Sequence, residues 1–206
     1  MKTFFRKFGW WIFAVMCSVT GLYPLLYFIL ERNFGLLQSK SAELLSSPIW
    51  NLAFYTHIIL GGFALVIGWT QFPKGFRDRN RKIHKKIGMA YVTFAFFSSI
   101  AGIYIGIFAT GGMVSILGFV SLGVIWLSTT MMGWFTAKKH DFDSHENWMI
   151  FSYAACFAAV TLRIWLPILI ALHDGQFIPA YHIVAWLCWV PNIMVAFWIV
   201  RNRKVN

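Results

Sequence analysis

An all-α, polytopic membrane fold, a bundle of six transmembrane helices with both termini in the cytoplasm, is what three observations predict. The chain is 59% hydrophobic and 19% aromatic but only 12% charged, which is too apolar for an ordinary soluble domain. Its apolar residues gather into six stretches, 10–30, 48–72, 87–110, 113–137, 146–172 and 177–200. Each is near or above the roughly 20 residues that cross a bilayer at about 1.5 Å per residue. Finally, the basic residues alternate between the two ends of these stretches. Fifteen of the eighteen Lys and Arg fall on one side, and only Arg32 and Lys40 on the other. Lys and Arg are retained on the cytoplasmic side, so that side carries both termini.

The six stretches use nearly the whole chain, so residues 1–206 read as one transmembrane domain. Lys2, Arg6 and Lys7 ahead of a long apolar run resemble a secretory signal. The run, however, continues through Tyr23 and Pro24 with no small-residue cleavage site, which predicts a retained first helix. A net charge of +11 would suit nucleic acid in a soluble protein. Here the charge is explained by topology, and the segment 74–86, with Lys74, Arg77, Arg79, Arg81, Lys82, Lys85 and Lys86, is expected to lie against anionic lipid headgroups. Cys17, Cys156 and Cys188 all fall inside spans without a C-x-x-C or C-x-x-C-H pattern, so they read as buried thiols rather than a disulfide framework or a covalent haem attachment.

Taken in order, the first helix is aromatic and Leu-rich and reads as packing. The loop 31–47 after it is given no role. The second helix carries His57 toward its non-cytoplasmic end and a seam of Gly61, Gly62, Ala64 and Gly68 that allows close approach of a helix or a flat ring. His84 stands at the cytoplasmic start of the third helix, followed on roughly one face by Gly88, Tyr91, Ala95 and Gly102. Gly111 and Gly112 make a tight turn into the fourth helix, which has Ser128, Thr129 and Thr130 but no charge and reads as scaffold. The next loop holds His140, Asp141, Asp143, His145 and Glu146. Met149 stands where a zinc-protease H-E-x-x-H motif needs its second histidine, so that motif is absent, and Asp143 or Ser144 is expected to cap the fifth helix. His173 sits in the last turn, His182 lies about one turn into the sixth helix, and Pro191 is expected to kink that helix.

The fifth helix is the most informative. His145 and Arg163 are 18 positions apart and therefore share a face with Met149, Ser152, Cys156 and Ala159, a small and partly polar stripe. An arginine facing lipid at this depth costs at least about 2.5–3.5 kcal/mol, so Arg163 is expected to face the bundle interior, with a backbone carbonyl, Asp174 or an anionic ligand as partner. An intramembrane ionisable residue is by default a site candidate, which brings in His57 as well.

The run HIILGGFALVIGWTQF, the arginine-rich link to IHKKIGMAY, and SHENWMIFSYAACFAAVTLRIW together resemble a family of bacterial predicted membrane proteins, domain of unknown function 2306, over about 48–200. That resemblance implies the six-helix fold and directs attention to His57, His84, His145 and Arg163. A looser resemblance, of layout alone, is to transmembrane b-type cytochromes of the ascorbate-reducible kind, in which four histidines hold two haems. His57 and His182 fall at one membrane level and His84 and His145 at the other, so two non-covalent b-type haems would each find two imidazoles, with Arg163 on an outer propionate and an unidentified redox partner. Two further readings stand beside it. One is a transporter or a metal- or small-ligand-binding protein with His57, Arg163 and His182 lining an outward cavity. The other is a structural or assembly factor.

Overall fold

The computed structural model describes residues 2–30 and 35–203, with side chains from Phe8 onward. Among them six helical spans are long and apolar enough to cross a membrane: α1 (Phe8–Ile29), α2 (Pro48–Gln71), α3 (Arg81–Gly106), α4 (Met113–Lys138), α5 (Phe142–Leu172) and α6 (Phe177–Arg203). An even number of spans brings the two ends of the chain to one face, called here the terminal face; the loops after α1, α3 and α5 lie on the far face.

Local chemistry sets the ends and breaks of these helices. Ser47 caps α2 by accepting the N–H of Trp50, with Pro48 in the first turn, where its missing N–H costs nothing. Gly111 and Gly112, at φ 92° and 77°, make the left-handed turn into α4 that a side chain would strain. The α5 cap differs from the expected Asp143 or Ser144. Asp141 accepts the Ser144 N–H at 3.1 Å, because the helix begins at Phe142 and Asp143 is already in its first turn. Those Ser144 donors hold the exposed Asp141 carboxyl below its usual range.

Three spans are interrupted. In α1 a short 3-10 turn at Tyr23–Leu25 forms around Pro24. The α5 segments Phe142–Cys156 and Ala158–Leu172 meet at Phe157. In α6, Phe177–Leu187 and Val190–Arg203 are separated by Cys188 and Trp189, just ahead of Pro191. The Cys188 carbonyl at that break accepts from the Thr161 hydroxyl and from Asn192 Nδ2, which ties α5 to α6 where the helix ladder is broken.

Helix α3 packs between α2 and α4, and α5 touches α1, α2, α4 and α6. The expected glycine seam on α2 is a helix-packing seam. A Cβ at Gly62 would strike the Gly21 carbonyl oxygen of α1, and one at Gly68 would strike the rings of Tyr153 and Tyr91. Between α3, α4 and α5 the interior is polar and self-satisfied. Tyr91 and Ser152 hydroxyls lie 2.9 Å apart, Ser152 and Thr130 2.7 Å, and Trp126 Nε1 donates to the Tyr91 hydroxyl at 3.4 Å. Through Trp126 and Thr130, α4 supplies part of the core hydrogen bonding rather than a neutral scaffold. The three cysteines are free and buried, as expected, and the Tyr153 hydroxyl donates to the Leu65 carbonyl at 2.8 Å and lies 3.2 Å from Cys17 Sγ.

Candidate functional site around Arg163 and the histidine pairs

Arg163 sits in the second half of α5, nine residues from its far end. His57 sits nine residues from the far end of α2, so both stand at the same depth, roughly 14 Å in. The Arg163 guanidinium lies 4.3 Å above the ring of Tyr23, and Nη1 donates to the Ala159 carbonyl at 2.8 Å. Its Nε is buried with no hydrogen-bond partner. Four residues on, Pro167 has no N–H to offer the Arg163 carbonyl, so the backbone at this point also lacks its usual helical donor. Among the described residues no carboxylate pairs with Arg163, and Asp174, the expected acidic candidate, is exposed in the turn after α5. The carbonyl partner expected from the sequence is the one present.

Around the guanidinium stand Tyr23 and Tyr27 of α1 and His57 of α2, all close enough for its charge to act on them. The tyrosines meet edge to face at 6.0 Å, and their hydroxyls approach Gly35 in the loop above. His57 is anchored to α3. Its Nδ1 lies 2.8 Å from the Ser98 carbonyl, and the Ser98 hydroxyl donates to the His57 carbonyl at 2.8 Å. A carbonyl only accepts, so Nδ1 carries the proton and Nε2 presents its lone pair. Gly102 makes the room, since a Cβ there would stand 2.7 Å from His57 Nδ1. The helix expected to be mere packing, α1, thus supplies the aromatic face on which the buried charge lies.

His182 lies elsewhere. Its Nε2 is 2.5 Å from the Gly111 carbonyl and Trp186 Nε1 donates to the Val114 carbonyl at 3.1 Å, which pins α6 to the α3–α4 turn. His57 packs against Ser98 and Gly102, deeper along α3 than that turn. His182 could take a metal on Nε2 only by giving up its Gly111 bond. His173 bonds back to the Leu169 carbonyl through Nδ1.

At the terminal face, α3 and α5 run parallel. Tyr91 and Ser152, 61 positions apart, are hydrogen-bonded between them. His84 and His145 are also 61 apart and lie two turns lower on the same faces, so the same register turns the two imidazoles toward each other. The two rings are within electrostatic reach of each other. His145 Nδ1 lies 2.7 Å from the Gly133 carbonyl of α4, which leaves Nε2 as an acceptor, whereas His84 Nδ1 is buried without a partner. Gln71 Oε1, near Gly88 one turn above His84, is likewise buried and unpartnered. Beside them Glu146 bridges Arg77 at 3.0 Å and Arg203 at 2.5 Å, which occupies its carboxylate.

Of the glycines expected to admit a porphyrin face, Gly61 is covered by Ser98 Oγ, Gly68 by Tyr153 and Tyr91, and Gly102 by His57, whereas Gly88 beside His84 meets only Gln71 Oε1. Among the described residues no three of His, Cys, Asp and Glu gather as a metal centre. Sequence reading singled out His57, His84, His145 and Arg163 but missed Tyr23, Tyr27, Ser98 and Gln71. The signal available for the tyrosines was that α1 holds only these two, four residues apart in the far half of the span, the half in which Arg163 lies in α5.

Comparison with curated proteins gives no match, and comparison with solved structures gives none. The family model described as a predicted membrane protein, DUF2306, matches residues 54–200, which covers α2 through α6 with both the His57–Arg163 and His84–His145 groups, and the chain belongs to that family.

Proposed function

We propose that this integral membrane protein binds a small anionic ligand within the bilayer, as a transporter or receptor, with Arg163 as its anchor. One observation carries the reading: a guanidinium sunk in the bundle whose partners are a backbone carbonyl and an aromatic face, with Nε unpartnered and, among the described residues, no carboxylate paired with it. His57 Nε2 supplies a further polar group from α2, and the Tyr23 ring of α1 covers one face of the guanidinium. A planar anion such as a carboxylate would use the guanidinium fork. The test is titration of purified protein with benzoate, succinate and inorganic phosphate, read by tryptophan fluorescence and thermal shift. Saturable binding should weaken at least about tenfold in Arg163→Lys, which keeps the charge and loses the fork. Equal affinity in parent and Arg163→Lys overturns the reading.

A second reading, a b-type haem held by His84 and His145 in a membrane oxidoreductase, is favoured by the register that faces these imidazoles and by the Gly133 carbonyl behind His145, the support that metal-ligating histidines usually have. Haem would supply one-electron chemistry there. In the second pair of the two-haem scheme only His57 has such support, from the Ser98 carbonyl, while His182 Nε2 is engaged by Gly111 and lies away from His57. Protein purified from haem-replete cells should then show a Soret band that His145→Ala abolishes; a featureless visible spectrum removes this reading.

We take residues 1–206 as one domain in a bacterial inner membrane with the terminal face cytoplasmic, where the basic segment 74–86 meets anionic lipid.

A further inference from the structure

We infer that α3 carries a discrete binding groove for a single anionic phospholipid at the terminal face. The inference deepens the reading that segment 74–86 meets anionic lipid, and rests on it. The cations of this face divide into two groups. Arg77 and Arg203 are turned inward on Glu146. Lys82, Lys85 and Lys86 are exposed and have no carboxylate partner among the described residues.

The spacing of these lysines puts them on one side of the first turns of α3, and that side continues into an apolar wall. Together they line an open, shallow groove of about 560 Å³ on the bundle surface with Met89, Ala90, Thr93 and Phe94. Phe94, at its bilayer end, packs against Phe63 of α2, ring centroids 5.7 Å apart. The Thr93 hydroxyl is turned back to the Met89 carbonyl, so the wall offers an acyl chain no free donor. Three ammonium groups at the mouth and an apolar wall leading into the bilayer match a phosphate headgroup with its chain attached. Free phosphate would use only the mouth, so the lipid is the occupant the groove fits.

The experiment is native mass spectrometry of the full chain titrated with palmitoyl-oleoyl phosphatidylglycerol, with phosphatidylcholine as the neutral comparison. The variant K82Q/K85Q/K86Q removes the mouth. K74Q/R79Q/R81Q removes the same formal charge from exposed neighbours outside the groove, and Ala90→Trp fills the wall while keeping every lysine. The first phosphatidylglycerol should bind at least about tenfold more weakly to the lysine variant and to Ala90→Trp, and within twofold of parent to the neighbour variant. Millimolar inorganic phosphate should not displace it. Equal loss in the two triple variants, or parent-like binding by Ala90→Trp, overturns the groove and leaves general attraction to anionic lipid standing. Parent-like binding by both triple variants overturns the groove and the underlying reading together. Monodispersity and melting temperature, measured for each, separate loss of binding from loss of fold.

Discussion

Arg163 shows how one side chain can be legible in sequence while its surroundings are not. A charge in an apolar stretch declares itself, because hydrocarbon cannot solvate it, and the same argument found His57. What lies beside it was hidden, since a tyrosine in a membrane helix is equally at home at the lipid interface, and only the fold brings Tyr23 within 4.3 Å of the guanidinium. The partners Arg163 does have set an expectation for its removal. A carbonyl and a ring face are left with no orphaned charge when the arginine goes, unlike the carboxylate of a broken ion pair. Arg163→Leu should therefore fold and melt within a few degrees of the parent while losing any ligand bound there. A drop in melting temperature beyond about 10 °C would mean that the guanidinium is a structural brace, because a domain of this size shifts only about 2–4 °C per kcal/mol.

At the scale of elements, six spans could be read from apolar length, but their breaks could be anticipated only where a proline marks them, at Pro24 and Pro191. The interruption at Phe157 has no such mark. Glycine seams were legible as close-approach surfaces, yet sequence does not say what approaches, and the answer at Gly62 is the backbone of α1. Gly62→Ala would drive a methyl into the Gly21 carbonyl and toward Pro24, 3.3 Å away, and should destabilise by about 1–3 kcal/mol. Gly75, with no neighbour within 4 Å, is the contrasting helical glycine, and Gly75→Ala should be neutral or slightly stabilising. The loop given no role in the sequence is latched. Lys40 Nζ donates to the Phe108 carbonyl at 2.5 Å and to Thr110 Oγ1 at 3.1 Å, and the Ser39 and Thr110 hydroxyls meet at 3.0 Å. Burial lowers the Lys40 amine from its ordinary 10.5 to about 8. A lysine with a depressed folded value binds fewer protons folded than unfolded between those two limits, so its contribution to stability rises as pH climbs from about 8 toward 10.5. Melting temperature should increase over that window in the parent and respond less in Lys40→Met; identical pH profiles would show that Lys40 is not effectively buried.

For the whole molecule, the orientation of the two candidate sites across the bilayer is a matter of the basic residues at the terminal face. Fifteen Lys and Arg flank that face in the sequence and two flank the other. Most act only as charge, since among the described residues Arg77 and Arg203 alone are taken up in ion pairs, with Glu146 and, for Arg77, Asp78. Unpaired Lys and Arg next to short loops are the ones that resist translocation, so the bias is available to set topology during insertion. A reporter fused after Asn206 should accordingly report a cytoplasmic C-terminus, placing the His84–His145 pair at the cytoplasmic boundary and the Arg163 group toward the opposite compartment. The sharper version asks whether the charges cause the orientation. Replacing Lys82, Lys85 and Lys86 with glutamine removes three of the fifteen and should leave the C-terminal reporter cytoplasmic. Adding lysines to loop 35–47 while removing the basic residues of segment 74–86 should produce a mixed or inverted population. An external C-terminus in the parent would reverse the assignment, and a ligand reaching Arg163 from the far face would then enter from the cytoplasm.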